Sequence, residues 1–182
     1  MSMLLAFVPF LTFAVLERRV GAHSALIAAA AVSALLIVRD KVIRHKSLKL
    51  LEVGSLILFS ALALASGFPQ FSLSVVGVRL WVDAGLLAIV TGSLAIGQPF
   101  TLQYAREQVS PEVAAGPRFK RVNMMLTAAW ALSFVVIVAA EAAMLYVPGF
   151  TAVVGTIVIV AALGAAALFT FWLPKQAAKF VH

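Results

Sequence analysis

Four ionisable side chains stand inside or at the edge of long apolar runs: Glu52, Arg79, Asp83 and Glu141. A charge in a lipid-like medium costs several kcal/mol, so such groups face protein, water or one another. Arg79 and Asp83 are four residues apart, which puts them on one helical face within reach of an ion pair. One guanidinium facing the carboxylates of Asp83 and Glu141 leaves a formal charge of −1, unless another cation joins or one carboxyl is protonated. Such a cluster has the chemistry of a cation or proton site, or of a pocket for a lipid headgroup. Its structural counterpart is a clamp between helices that fixes their register.

The elements that must position these groups are six apolar runs, at about 2–16, 22–38, 48–66, 77–96, 120–146 and 150–173. Hydrophobic residues make up 63% of the 182 residues and charged residues 12%, whereas a soluble domain carries roughly 45–50% and about 25%. About 20 helical residues cross a ~30 Å hydrocarbon core. The runs lack the alternating polarity of a membrane β-barrel. The expected fold is therefore all-α, a polytopic membrane helix bundle of six transmembrane helices in one integral membrane domain, 1–182. The first run is the weakest, because it is short and holds Pro9.

Orientation follows from Lys and Arg. The second gap holds Arg39, Lys41, Arg44, Lys46 and Lys49, the fourth gap and its edge hold Arg106, Arg118, Lys120 and Arg121, and the tail holds Lys175 and Lys179. Cytoplasmic connectors are enriched in these residues, which puts both termini inside (N-in/C-in). Arg79 and Asp83 then lie one to two turns below the outer surface, and Glu141 at a similar depth. Glu17, Arg18 and Arg19 end the first run on that side and are candidates to complete the cluster. Arg18-Arg19 is the one cationic pair that runs against the rule.

Other function classes find little support. There is no cysteine, and His23, His45 and His182 lie in three separate segments, so neither a thiolate nor a histidine metal site is expected. No cofactor and no catalytic residue is assigned. The net charge of +7 sits beside apolar runs, where it orients the chain and meets anionic lipid headgroups, so nucleic acid is not an expected partner. The start of the chain has no basic region and no small-residue cleavage site, so a cleaved signal peptide is not expected.

Smaller features complete the reading. Glu52 follows Lys49 by three residues and can pair with it at a helix start. Asn123, seven residues before Trp130, can hydrogen-bond a neighbouring span or the long fourth gap. His23 reads as a neighbour of a helix start. Ala84, Ala88 and Gly92, like Ala61 and Ala65, repeat every four residues, a spacing that lets helices approach closely. In the fourth gap, Ser110-Pro111-Glu112 reads as a helix start. Phe100, Leu102, Tyr104 and Val109 suit a segment lying along the interface or a solvated loop.

Gly97-Gln98-Pro99-Phe100, Phe119-Lys120-Arg121-Val122-Asn123, Trp130-Ala131-Leu132-Ser133-Phe134 and Ala143-Met144-Leu145-Tyr146-Val147 are together similar to the bacterial intracellular septation protein A family. Phe7-Val8-Pro9-Phe10 resembles its amino-terminal segment. The likeness covers about 50 residues. Asn123 and Trp130 are further apart than the family's Asn and Trp, and Phe119 stands where the family has Trp. The resemblance implies a multi-pass protein of the bacterial inner membrane, linked to envelope assembly or septation, with no catalytic residues to carry over. The expected function is non-enzymatic and works through helix and cytoplasmic-loop contacts. Envelope or division proteins would be partners, with Arg39, Lys41, Arg44, Lys46 and Lys49 as a cytoplasmic basic patch. The alternative is a small transporter or channel that works as a homo-oligomer through the Arg79–Asp83–Glu141 cluster.

Overall fold

Gly21 ends the first helix. Its φ of 83° is a backbone conformation that side chains disfavour, and the preceding turn carries Arg18 and Arg19, whose charges suit a helix C-terminus. The computed structural model describes residues 3–43, 45, 47–68 and 74–179. Among them every regular element is helical, and no strand occurs. The α-helices are α1 Val8–Val20, α2 Ala22–Val38, α3 Leu50–Ala65, α4 Val75–Ala95, α5 Phe100–Ala105, α6 Pro111–Ala115, α7 Pro117–Tyr146 and α8 Ala152–Lys179. A 3-10 turn over Met3–Phe7 leads into α1, and a π-helical turn over Arg39–Ile43 extends α2.

Among the described residues three helices are long and apolar enough to cross a membrane: Val75–Ala95, Pro117–Tyr146 and Ala152–Pro174. The other three expected spans form shorter helices, α1 of 13 residues, α2 of 17 and α3 of 16. The first differs most from its sequence boundaries. Pro9 falls in the first turn of α1, where a missing N–H leaves no gap in the ladder. The helix then runs through Glu17, Arg18 and Arg19 instead of stopping before them.

The chain divides into two compact units, Met1–Ile89 and Val90–His182. In the first, α1 folds back on α2 at Gly21, and Phe13, Ala25, Leu26, Ala29, Phe59, Leu62, Val78 and Val82 form the core. The rings of Phe10 and Phe59 meet at 4.9 Å. α3 and α4 run antiparallel at close range. Gly54 faces Ile89, and Gly85 faces Leu58 so closely that a Cβ there would displace that side chain. The seam of α4 thus runs through Gly85. Of the expected small-residue stripe, Ala88 and Gly92 are exposed.

In the second unit α7 is the central helix. Its buried side chains recur at Asn123, Leu126/Thr127, Trp130/Ala131, Ser133/Phe134, Ile137 and Ala140/Glu141, one stripe from 123 to 141 of this 30-residue helix. α8 packs antiparallel to it, with Gly155 against Met144 near one end and Thr170 bonded to Trp130 towards the other. Only 11% of the apolar window of α8 is buried, against 44% for α7. An apolar helix this exposed needs lipid or protein around it.

The fourth gap is partly buried. In α5, Phe100, Thr101, Leu102 and Tyr104 are all 2% exposed or less. The expected interfacial or solvated segment therefore begins after α5. Thr101 can be buried because its hydroxyl bonds the Asn123 carbonyl at 2.9 Å and Thr127 at 2.8 Å. Ser110 precedes α6, where the sequence placed a helix start.

Candidate functional site

Each end of the first unit is tied by polar side chains. At the end where α1 stops and α4 starts, Arg79 forms an ion pair with Glu17. The Glu17 side chain is fully enclosed and that of Arg79 is 23% exposed. The last turn of one helix thereby meets the first turns of an antiparallel neighbour. The pair is neutral, so neither charge is left alone in a low-dielectric interior.

The expected cluster is therefore built differently from its sequence-based composition. Glu17, thought of as an accessory, is a principal partner of Arg79. Arg18 and Arg19 are exposed. Asp83 lies one turn further along α4, half-buried. Glu141 belongs to the second unit, where it is 2% exposed on α7. Ending the first span at residue 16 put Glu17 in a connector, although it has the same depth argument as Arg79 once α1 continues to Val20.

At the same end of the unit, His23 Nδ1 lies 2.8 Å from Ser66 Oγ, joining the first turn of α2 to the end of α3. The Ser66 hydroxyl donates to the Ala63 carbonyl, so the His23 Nδ1–H is the donor of the tether.

The opposite end holds the densest group of charges. Arg39 donates from Nε to Asp40 Oδ1 at 2.9 Å. Lys49 Nζ reaches Asp40 Oδ2 at 3.3 Å and Glu52 Oε1 at 3.5 Å. The side chains of Lys49, Asp40 and Glu52 are each 1% exposed. The π-helical turn places Asp40 inward, beside the start of α3. Two cations and two carboxylates leave no formal charge. Burial opposes ionisation of Asp40, but the hydrogen bonds from Arg39 and Lys49 outweigh it and hold the carboxyl below its ordinary value.

This network corrects the expected basic patch. Lys49 is buried between carboxylates and Arg39 is engaged by Asp40, while Lys41 is exposed. Arg44 and Lys46 lie outside the described residues. The Lys49–Glu52 pair was legible from its spacing. Asp40 was missed, and its signal was plain: it is the lone acid among the five cations of that connector.

The second unit is held by neutral hydrogen bonds. Trp130 Nε1–H donates to Thr170 Oγ1 at 3.0 Å, and the Ser133 hydroxyl donates to the Ala162 carbonyl at 2.9 Å. The Asn123 amide donates to the Phe119 carbonyl of its own helix, while the backbone carbonyl of Asn123 receives the Thr101 hydroxyl. Asn123 thus meets the fourth gap through its main chain. The Ser93 hydroxyl accepts the N–H of Phe100, which fixes the turn into α5.

Among the described residues no three His, Asp or Glu side chains are grouped to hold a metal ion. The Glu17–Arg79 pair and the Asp40–Lys49–Glu52 network are opposed, compensated charges at helix ends, which is the geometry of clamps. Compared with protein-family models, with curated proteins and with solved structures, the chain matches none.

Proposed function

We propose that this chain is a six-span integral protein of the bacterial inner membrane with both termini in the cytoplasm. In this reading it is non-enzymatic and serves envelope assembly or septation through contacts of its helices and cytoplasmic connectors. The observation that carries the reading is the pairing of buried charges at the ends of helices: Glu17 with Arg79, and Lys49 with Asp40 and Glu52. These pairs set helix register and leave the connectors and the exposed apolar faces to meet partners and lipid. The tethers alternate the direction of α1 to α4, which suits helices that cross in turn. Lys41 and the α6 segment are exposed on connectors assigned to the cytoplasm. The likeness to the septation protein A family supplies the cellular setting.

A photo-crosslinking amino acid at Lys41 or Glu112, introduced in dividing bacteria, tests the contact role. Capture of envelope or division proteins from these positions, and much less from Phe68, is the expected result. Equal capture from all three, or none, would overturn it. The transporter reading is addressed in sealed proteoliposomes. Cation or proton flux that depends on Asp83, lost on Asp83→Asn, would replace the contact reading.

A further inference from the structure

We propose that the start of α7 binds an anionic phospholipid, with the phosphate at Lys120 and Arg121 and an acyl chain in the groove beside them. The inference rests on α7 crossing the membrane, and it adds to that reading a defined site and a ligand class. An open groove of about 560 Å³ runs beside this helix, walled by Leu94, Met124, Met125 and Ala128. That volume falls within the roughly 300–1,000 Å³ usual for small-molecule sites. Its walls are apolar, and both methionines are substantially exposed, at 41% and 48%. Methionine side chains are unbranched and adapt to a flexible chain.

Charge enters at one end only. Lys120 precedes Met124 by four residues and Arg121 precedes Met125 by four, so each cation stands one turn nearer the helix start than the wall it continues. Both cations are exposed. α7 is 30 residues long, or about 45 Å at 1.5 Å per residue, against a hydrocarbon core of ~30 Å. Its first turns therefore extend into the headgroup region when its apolar part spans. No side chain caps this helix start, and its amide end adds partial positive charge beside the two cations. Two positive groups above an apolar groove complement a phosphate attached to a hydrocarbon chain. A zwitterionic lipid would bring its own cation to the same place, and a free phosphate would leave the groove unfilled.

Native mass spectrometry of the purified full chain with equimolar phosphatidylglycerol and phosphatidylcholine tests the site. The wild type is expected to retain phosphatidylglycerol preferentially, and Lys120→Gln/Arg121→Gln to weaken that preference roughly tenfold. Lys120→Arg/Arg121→Lys, which keeps both charges, should behave as wild type. Ala128→Trp, which fills the groove, should lower retention with both cations present. Arg18→Gln/Arg19→Gln removes the same charge elsewhere and should leave the preference intact, and excess inorganic phosphate should not displace the lipid. A preference that survives Lys120→Gln/Arg121→Gln would overturn the proposal. So would one that falls equally in the Arg18/Arg19 variant, or one that inorganic phosphate abolishes. Release of the protein from membranes by alkaline carbonate would instead refute the membrane reading itself, so the two failures are distinguishable.

Discussion

Replacing Lys49 with methionine removes the ammonium that stands between Asp40 Oδ2 at 3.3 Å and Glu52 Oε1 at 3.5 Å. At an effective dielectric of about 20, each contact represents a gross attraction of about 5 kcal/mol. Desolvation of the three groups offsets much of this, so the pair's net value is far smaller than the sum. Removing one partner is different, because the carboxylates stay buried after the cation has gone. The expected loss of stability for Lys49→Met is about 3–5 kcal/mol. Asp40 keeps its bond from Arg39, so Glu52 carries most of the penalty. Lys49→Met/Glu52→Gln should therefore recover much of the loss, with a coupling of about 1–3 kcal/mol in the double-mutant cycle. Equilibrium unfolding in mixed detergent–dodecyl sulfate micelles, followed by helical circular dichroism, gives all four corners. A Lys49→Met variant within about 0.5 kcal/mol of wild type, or strictly additive single changes, would refute a buried, mutually dependent network.

Arg79→Gln should destabilise by about 3–5 kcal/mol through the enclosed Glu17 carboxylate, and Glu17→Gln/Arg79→Gln should restore most of it in the same assay. Gly85→Val should cost about 1–3 kcal/mol by forcing Leu58 aside, measured by thermal unfolding in detergent, while the same change at Gly92, where nothing lies within 4 Å, should cost less. Asp40 has a folded-state pKa below its ordinary 3.8, so its contribution is complete above that value and disappears as pH falls through the lower folded value. Acid titration of stability should therefore show a loss in that window that is smaller in Asp40→Asn.

The long helices were legible because length and continuous apolarity suffice to define them, as in α4, α7 and α8. The pairing of Lys49 with Glu52 was legible from a spacing of three. What the sequence could not supply was the side of each helix that meets a neighbour. Ala84, Ala88 and Gly92 form a faultless small-residue stripe, yet the close approach of α3 and α4 uses Gly54 and Gly85, because packing depends on how both helices are rotated. The partner of Arg79 was obscured by a helix boundary four residues too early, and Gly21, with its positive φ, marks where the turn falls. Asp40 was hidden by its neighbours, since a connector counted for its cations draws no attention to its single acid. The apolar side chains at 100, 102, 104 and 109 suited an interfacial segment or a solvated loop, and the Thr101–Asn123 and Thr101–Thr127 bonds explain how a segment with a polar side chain is enclosed instead.

The chain has no cysteine, so single cysteines report membrane sidedness without background. Lys41→Cys, Glu112→Cys, Phe68→Cys and Gly149→Cys, each at an exposed position, can be treated with an impermeant maleimide in sealed vesicles of known orientation. Alternating helices with cytoplasmic termini require labelling of positions 41 and 112 from the cytoplasmic face and of positions 68 and 149 from the other. Labelling of 41 and 112 from opposite faces would contradict the threading.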